Sequence, residues 1–335
     1  MTIEQVDEAI HARQAASTAL HEQLRELENK KKHDMPAREL GRMKHQIICR
    51  HRHRHLRKPF VCRKCWTYLP ICVCPLFERK KFGKDTAPHS TEEKHKASLP
   101  NVVDRVVVWT HHEEWGRVSN TGSLLPIGLE RTDMLMKGLP EHDLIMDGLL
   151  NRDDLTPVVL WPGVGGEANS TTVSELQSRF VERKQCVNIP DCGHSITNIT
   201  SRGLLLISIE GTWNTARKMA NRLPSNVLRL DLGEEVASNF SSPAMNRGVL
   251  YNSTYSTDIP SSTNRASLLA PLRHHGKGSS QGKTENISTL EATIVALLAL
   301  GLSVEDAGRI LQIARTKVER VVQYSGKDRF RRAND

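Results

Sequence analysis

Five short stretches carry side chains that can do chemistry. Cys62-Arg-Lys-Cys65 and Cys72-Val-Cys74 make a C-x2-C-x6-C-x-C pattern. Closely spaced thiolate pairs suit tetrahedral zinc, and four protein ligands leave no open coordination position, so the pattern reads as a structural zinc knuckle. A disulfide pair or free thiols is the alternative. Cys49, Cys186 and Cys192 have no partner at such spacing and read as ordinary residues. The second stretch, His111-His-Glu-Glu-Trp-Gly-Arg-Val-Ser-Asn-Thr-Gly-Ser123, packs two His, two Glu and an Arg before an Asn-Thr-Gly turn. Trp161-Pro-Gly-Val-Gly-Gly166 is a loop that lets a ligand approach backbone N–H groups, although it is neither a dinucleotide fingerprint nor a P-loop. Ile209-Glu-Gly-Thr-Trp-Asn-Thr-Ala-Arg-Lys218 presents a carboxylate, a hydroxyl and an indole together, with two cations one turn later. The carboxylate can take a proton, the indole can stack on a ring and the cations can hold phosphates; a buried Glu–Arg pair is the plain structural alternative. Ser288-Thr-Leu-Glu-Ala292 reads as a capping box of Ser288 with Glu291, or as a helix start whose Glu291 faces a ligand.

These stretches need strands and helices to bring them together. Val106-Val-Val-Trp109, Val158-Val-Leu-Trp161, Leu204-Leu-Leu-Ile-Ser-Ile209 and Val227-Leu-Arg-Leu230 are apolar without alternation, as strands covered on both faces are. Helical patterns at 173–184 and 213–222 lie between them, so the order predicts a mainly parallel α/β sheet over 100–325. In such sheets ligands gather outside the carboxyl ends of strands, where the His111 and Glu210 stretches fall. Residues 238–286, rich in Ser, Thr, Asn, Gly and Pro, read as a long irregular insertion, and 79–99 as a surface loop. Two helices close the domain over 288–323, parted by Gly301-Leu-Ser303, with Ser303 and Asp306 as a cap; they are ordinary closing helices or, alternatively, a helix-turn-helix.

Four regions follow: a helical and basic arm (1–58), the four-cysteine zinc knuckle (59–78), the α/β domain (100–325) and a basic tail (326–335). Residues 1–33 show apolar spacings of three and four. Residues 44–58 hold six Lys or Arg and no acid. Arg52, Arg54, Arg57 and Lys58 there can grip phosphates; a nuclear import signal or a solvated linker without regular structure are the other readings, and the alternating histidines could recruit metal. The net charge of +9 and pI near 9.3 favour a polyanionic partner, nucleic acid first. No apolar run is long enough for a membrane span. An acid-rich start suits neither a secretory signal nor a transit peptide. The expected location is therefore the cytoplasm or nucleus, where clustered cysteines mean metal more often than disulfide.

Taken in order, the motifs resemble the DTW-domain family, named for Asp-x-Thr-Trp. The residues that carry the resemblance are Cys62 to Cys74; His111, Glu114, Arg117, Ser119, Asn120 and Thr121; Pro162-Gly163; Gly211 to Met219; and Ser288 to Ala292, with Arg273 as a further match. It covers roughly 60–300 and leaves out the arm. The resemblance implies a SPOUT-like, trefoil-knotted α/β fold. It also implies a tRNA-uridine aminocarboxypropyltransferase, which moves the 3-amino-3-carboxypropyl group of S-adenosylmethionine to uracil N3 and releases methylthioadenosine. By that resemblance Glu210, Thr212 and Trp213 are catalytic. Glu114, Arg117, Asn120, Thr121, Pro162, Gly163 and Glu291 bind the cofactor, and Arg217 and Lys218 join the arm in binding RNA. The chain departs from the family where the name-giving Asp is Glu210. The acid is kept with one extra methylene. Three other functions stay open at this point: a SPOUT-type RNA methyltransferase, a non-catalytic RNA-binding or ribosome-assembly factor, and a zinc and helix-turn-helix DNA-binding protein.

Overall fold

A computed structural model of the chain describes residues 3–31, 35–55, 60–78, 96–161, 169–178, 203–232 and 288–332. The insertion 238–286, Arg57, Lys58, Pro162, Gly163, Cys186, Cys192, Arg273 and most of the 79–99 loop lie outside the described residues. The described strands are β1 (Val103–Thr110), β2 (Thr132–Met136), β3 (Leu155–Leu160), β4 (Ser170–Thr172), β5 (Gly203–Glu210) and β6 (Leu228–Asp231). They form one six-stranded sheet in the order β2-β1-β5-β3-β6-β4, and every pairing is parallel.

Both faces of the sheet are covered, which is why its strands read as unbroken apolar runs. Successive side chains alternate between two cores. Val106, Val108, Leu204 and Leu206 face one core, together with the knuckle and with helices α7 (Thr289–Ala299) and α8 (Val304–Arg332). Val107, Trp109, Leu205, Ile207 and Ile209 face the other, against α5 (Pro140–Leu150) and α6 (Trp213–Ala220). Each fully buried Leu or Val here contributes ~1.5–3 kcal/mol, so the interior strands β1 and β5, richest in such residues, are the least able to shift. Two strands have weak sequence signals. β2 lacks a β-branched run and β4 is only three residues long.

The closing pair of helices is as expected. Ser288 and Glu291 form a complete capping box, and Ser303 caps α8 by accepting from the Asp306 N–H. Gly301, at φ 108°, makes the break between them. Helix α7 is buried over most of its length, so it is a core element and cannot enter a DNA groove. The basic tail does not begin as a separate segment, because α8 continues to Arg332.

The arm is two helices, α1 (Ile3–Lys31) and α2 (Ala37–His55). Of the readings offered for 44–58, the linker without regular structure is the one set aside: the first twelve residues are helical. Leu40, Met43 and Ile47 supply the helical spacing, which the charge run conceals. Two short helices, α3 (Cys74–Glu78) and α4 (Leu125–Gly128), lie beside the knuckle and after the β1 turn. No described helix is long and apolar enough to cross a membrane.

Candidate active site

Sheet register puts the two main polar motifs side by side. Thr110, the last residue of β1, pairs with Glu210, the last of β5, and the His111 N–H donates to the Glu210 carbonyl at 2.8 Å. From β1 the chain next enters the sheet at β2, on one side; from β5 it next enters at β6, on the other. Adjacent parallel strands that part in this way open a crevice at their carboxyl ends.

The turn after β1 is built from its own side chains. Glu114, almost buried, accepts from Arg117 at 2.9 Å. Asn120, 2% exposed, donates its amide to the Glu114 carbonyl and accepts from the Ser123 N–H. Its side chain is therefore spent in shaping the turn, and Thr121 beside it is buried. The Arg117 side chain is half exposed and keeps donors facing outward.

Glu210 reaches over this turn. A Cβ placed on Gly122 would stand 2.7 Å from Glu210 Oε2, and that oxygen is shielded from solvent. The bare backbone of Gly122 thus makes the room that the extra methylene of Glu210 needs. Thr212 caps α6, accepting from the Thr215 N–H. Next to it Trp213 is 55% exposed and lies parallel to Trp161, ring centroids 5.1 Å apart and planes 12° apart. Trp161 follows β3 and is buried, so the exposed ring of Trp213, backed by Trp161, makes an apolar shelf at the carboxyl ends of β3 and β5. Arg217 and Lys218 are exposed one turn along α6, Arg217 bonded to Asn214. Glu291 is 2% exposed; its carboxylate accepts from the Ser288 N–H at 2.7 Å, and Thr289 donates to the Ile209 carbonyl. The capping box therefore sits against the end of β5. In the arm, Arg52 donates to the His112 carbonyl while Arg54 is exposed.

The four knuckle sulfurs converge. Cys62 Sγ is 3.6 Å from Cys74 Sγ and Cys65 Sγ is 3.6 Å from Cys72 Sγ, with all four within 4.8 Å of one another. Zinc–sulfur bonds of ~2.3 Å in a tetrahedron set the sulfurs ~3.8 Å apart, so the donor set fits zinc. As bare thiols the four are not equivalent. A hydrogen bond from Cys74 pulls Cys65 down to about 3, burial pushes Cys72 up to about 11, and the bond to Cys65 pushes Cys74 up. A divalent cation is what lets all four ionise together. Trp66 takes φ 59° to turn the chain after Cys65, and its buried ring meets Trp115 at 5.2 Å between centroids.

Lys317 was not among the residues singled out from sequence. Fully buried, its ammonium donates to the Cys65 carbonyl (2.8 Å), the Asn120 carbonyl (2.6 Å) and Ser123 Oγ (3.1 Å). Burial pushes it down to about 8, against the pull of the thiols and Glu210. Its signal was there to find. Lys317 falls on the stripe of Ile310, Ile313, Ala314 and Val318, where only an apolar residue or a fully bonded cation is tolerated.

Sheet, crevice and knuckle define an α/β domain with a strand-end crevice and a four-cysteine cluster that could hold a metal ion. The family model for the DTW domain matches residues 59–322, and the chain belongs to the DTW-domain family. That membership is consistent with a function in tRNA modification. No curated protein and no solved structure matches the chain.

Proposed function

We propose that the protein is a tRNA-uridine aminocarboxypropyltransferase that uses S-adenosylmethionine and carries zinc in its four-cysteine knuckle. The observation that carries the reading is the meeting of Glu210 with the Asn120-Thr-Gly turn at Gly122. The site fits the cofactor in two respects: an apolar indole shelf beside the crevice, and a half-exposed guanidinium on Arg117 for a carboxylate. Glu114 holds that guanidinium, and Asn120, Thr121 and Glu291 belong to the cofactor site by the family motif. Pro162 and Gly163 belong to the same proposal from the family motif.

When bound, S-adenosylmethionine supplies the 3-amino-3-carboxypropyl group on a sulfonium leaving group. The Glu210 carboxylate takes the proton from uracil N3 as that nitrogen becomes the nucleophile. A uridine in tRNA has to leave its stack to reach the crevice, and Trp213 offers it an exposed ring. Arg54, Arg217 and Lys218 are placed to bind backbone phosphates, which makes affinity fall with salt. A SPOUT-like knotted path is part of the proposal, supported by the all-parallel sheet; an experimental structure tracing 162–202 tests it.

The enzymatic test is incubation with bulk tRNA and cofactor labelled in the aminocarboxypropyl group. Label in tRNA with release of methylthioadenosine is expected. Transfer of a methyl label with release of S-adenosylhomocysteine would make it a methyltransferase instead. Tight tRNA binding with neither product, and activity appearing on Glu210→Asp, would make the natural chain a non-catalytic RNA-binding factor.

A further inference from the structure

Three imidazoles from distant parts of the chain meet beside the crevice. His45 belongs to α2, and His111 and His112 follow β1. His45 Nε2 stands 3.2 Å from His112 Nδ1. One ring nitrogen from each of the three lies within 4.8 Å of the others. Metal–nitrogen bonds of ~2.0–2.1 Å in a tetrahedron set the nitrogens ~3.3–3.4 Å apart. One pair is therefore at ligand spacing, and the third ring needs to close by an ångström or so. The rings are half-buried, and burial pushes each below the usual histidine range.

The surroundings are shaped for this cluster. Gly138 has φ 86°, and a Cβ there would stand 2.1 Å from His45 Cε1 and 2.4 Å from His45 Nδ1. Only a glycine lets His45 reach its neighbours. Arg52, about two turns further along the same face of α2, donates to the His112 carbonyl at 3.0 Å and fixes that backbone. Cys49 lies 3.8 Å from both His45 ring nitrogens, but its thiol donates to the Lys137 carbonyl, so sulfur is outside the donor set. Arg52, Lys137 and Arg222 bear on the rings as positive charges, and Asp143 and Glu113, whose carboxylate lies 3.9 Å from His111 Nδ1, as negative ones. Affinity here has to come from the nitrogen donors, which selects a borderline transition metal over calcium or magnesium. Of the alternating histidines of the arm, His51 meets the Ala16 carbonyl and His53 packs on Trp115 and His142.

We propose that His45, His111 and His112 form a second metal site, separate from the four sulfurs, that holds a first-row divalent ion, zinc by preference, with water as the fourth ligand. The ion pins helix α2 to the loop that carries Glu114 and Arg117.

The test counts and types metals on the full chain. Purified protein equilibrated with zinc and freed of excess is expected to hold about two equivalents, one per donor set. A His45→Asn/His112→Asn variant is expected to hold about half as much. With cobalt(II), wild type should show a sulfur-to-metal charge-transfer band from the knuckle plus separate visible bands from the nitrogen site. The variant should lose only the latter, and its surviving sulfur band certifies that it folds. A wild-type chain holding one equivalent, with cobalt bands from the sulfur set alone, overturns the proposal without any variant. So does a variant that keeps both band sets.

Discussion

Replacing Gly122 with Ala should displace the Glu210 carboxylate without changing a single charge. The new Cβ would stand 2.7 Å from Glu210 Oε2, against 3.3 Å from both Asn120 Oδ1 and Val108 Cγ1. The closest contact is roughly 0.7 Å short of an ordinary one, and the carboxylate, at the end of a flexible side chain, is the group that gives way. Misplacement of 1 Å at a reacting centre can cost ~100-fold. Scaled to 0.7 Å, the expected loss is roughly 25-fold in kcat, or about 2 kcal/mol of transition-state stabilisation. Gly122 has no positive φ, so alanine brings no backbone strain and the melting temperature should move little. The assay is initial-rate transfer of the labelled aminocarboxypropyl group to tRNA, with stability followed in parallel. A cycle sharpens it. Glu210→Asp withdraws the carboxylate by one methylene, so the double variant Gly122→Ala/Glu210→Asp should do better than the product of the two single losses. A folded Gly122→Ala enzyme at wild-type rate, or strict additivity in the cycle, would refute the reasoning that Glu210 works from its seat on this turn.

Three further outcomes follow from the same geometry. Lys317→Met leaves the buried Cys65 and Asn120 carbonyls without their ammonium; after the relief of no longer burying a charge, a stability loss of about 2–4 kcal/mol is expected in denaturant unfolding. Trp213→Ala removes a ring that is 55% exposed, so the melting temperature should hold while KM for tRNA rises by ~5- to 150-fold, the equivalent of one stacked base; Trp213→Phe should recover most of it. Cys62→Ser should lower thermal stability and tRNA affinity before it lowers the rate at saturating tRNA, and a lost rate at full tRNA binding would place the knuckle in the active site.

What was legible in the sequence was whatever rested on local pattern. β1, β3, β5 and β6 announced themselves because a strand covered on both faces must be apolar throughout. The capping box at Ser288 and the paired cysteines are likewise local devices. What was hidden depends on strand order and on long-range contact. Nothing in the spacing of Thr110 and Glu210 shows that they are register partners, yet that pairing makes one site of two motifs. His45 lies far from His111 in sequence, in an arm whose basic run masked its helical period. Thr212 and Asn120, singled out for chemistry, spend their side chains on a cap and a turn; their contribution to a ligand is the shape they hold. Lys317 was overlooked because a lysine in an amphipathic helix is normally read as surface.

Lys317 also shows how a metal held by the four cysteines would act on the rest of the domain. The four sulfurs face one another and leave no coordination position for a substrate, so the knuckle cannot act on RNA directly. Its influence passes through backbone. Helix α8 holds the knuckle at three points: Lys317 on the Cys65 carbonyl, Arg320 on the Cys72 carbonyl at 2.8 Å, and Tyr324 against Tyr68. The same ammonium binds the Asn120 carbonyl and Ser123 Oγ, which flank Gly122. A shift of the Cys65 turn therefore moves Lys317, and through it the surface on which Glu210 rests. A thiolate-bound ion fixes that turn more stiffly than packing alone could, because Trp66 holds a left-handed conformation there that bulky residues avoid. Zinc removal should in consequence loosen the Asn120–Ser123 turn, visible as faster amide exchange at Ser123 and Leu124, whose N–H groups are bonded within it. Unchanged exchange there on chelation, with the chain still folded, would show that the knuckle and the crevice are mechanically independent.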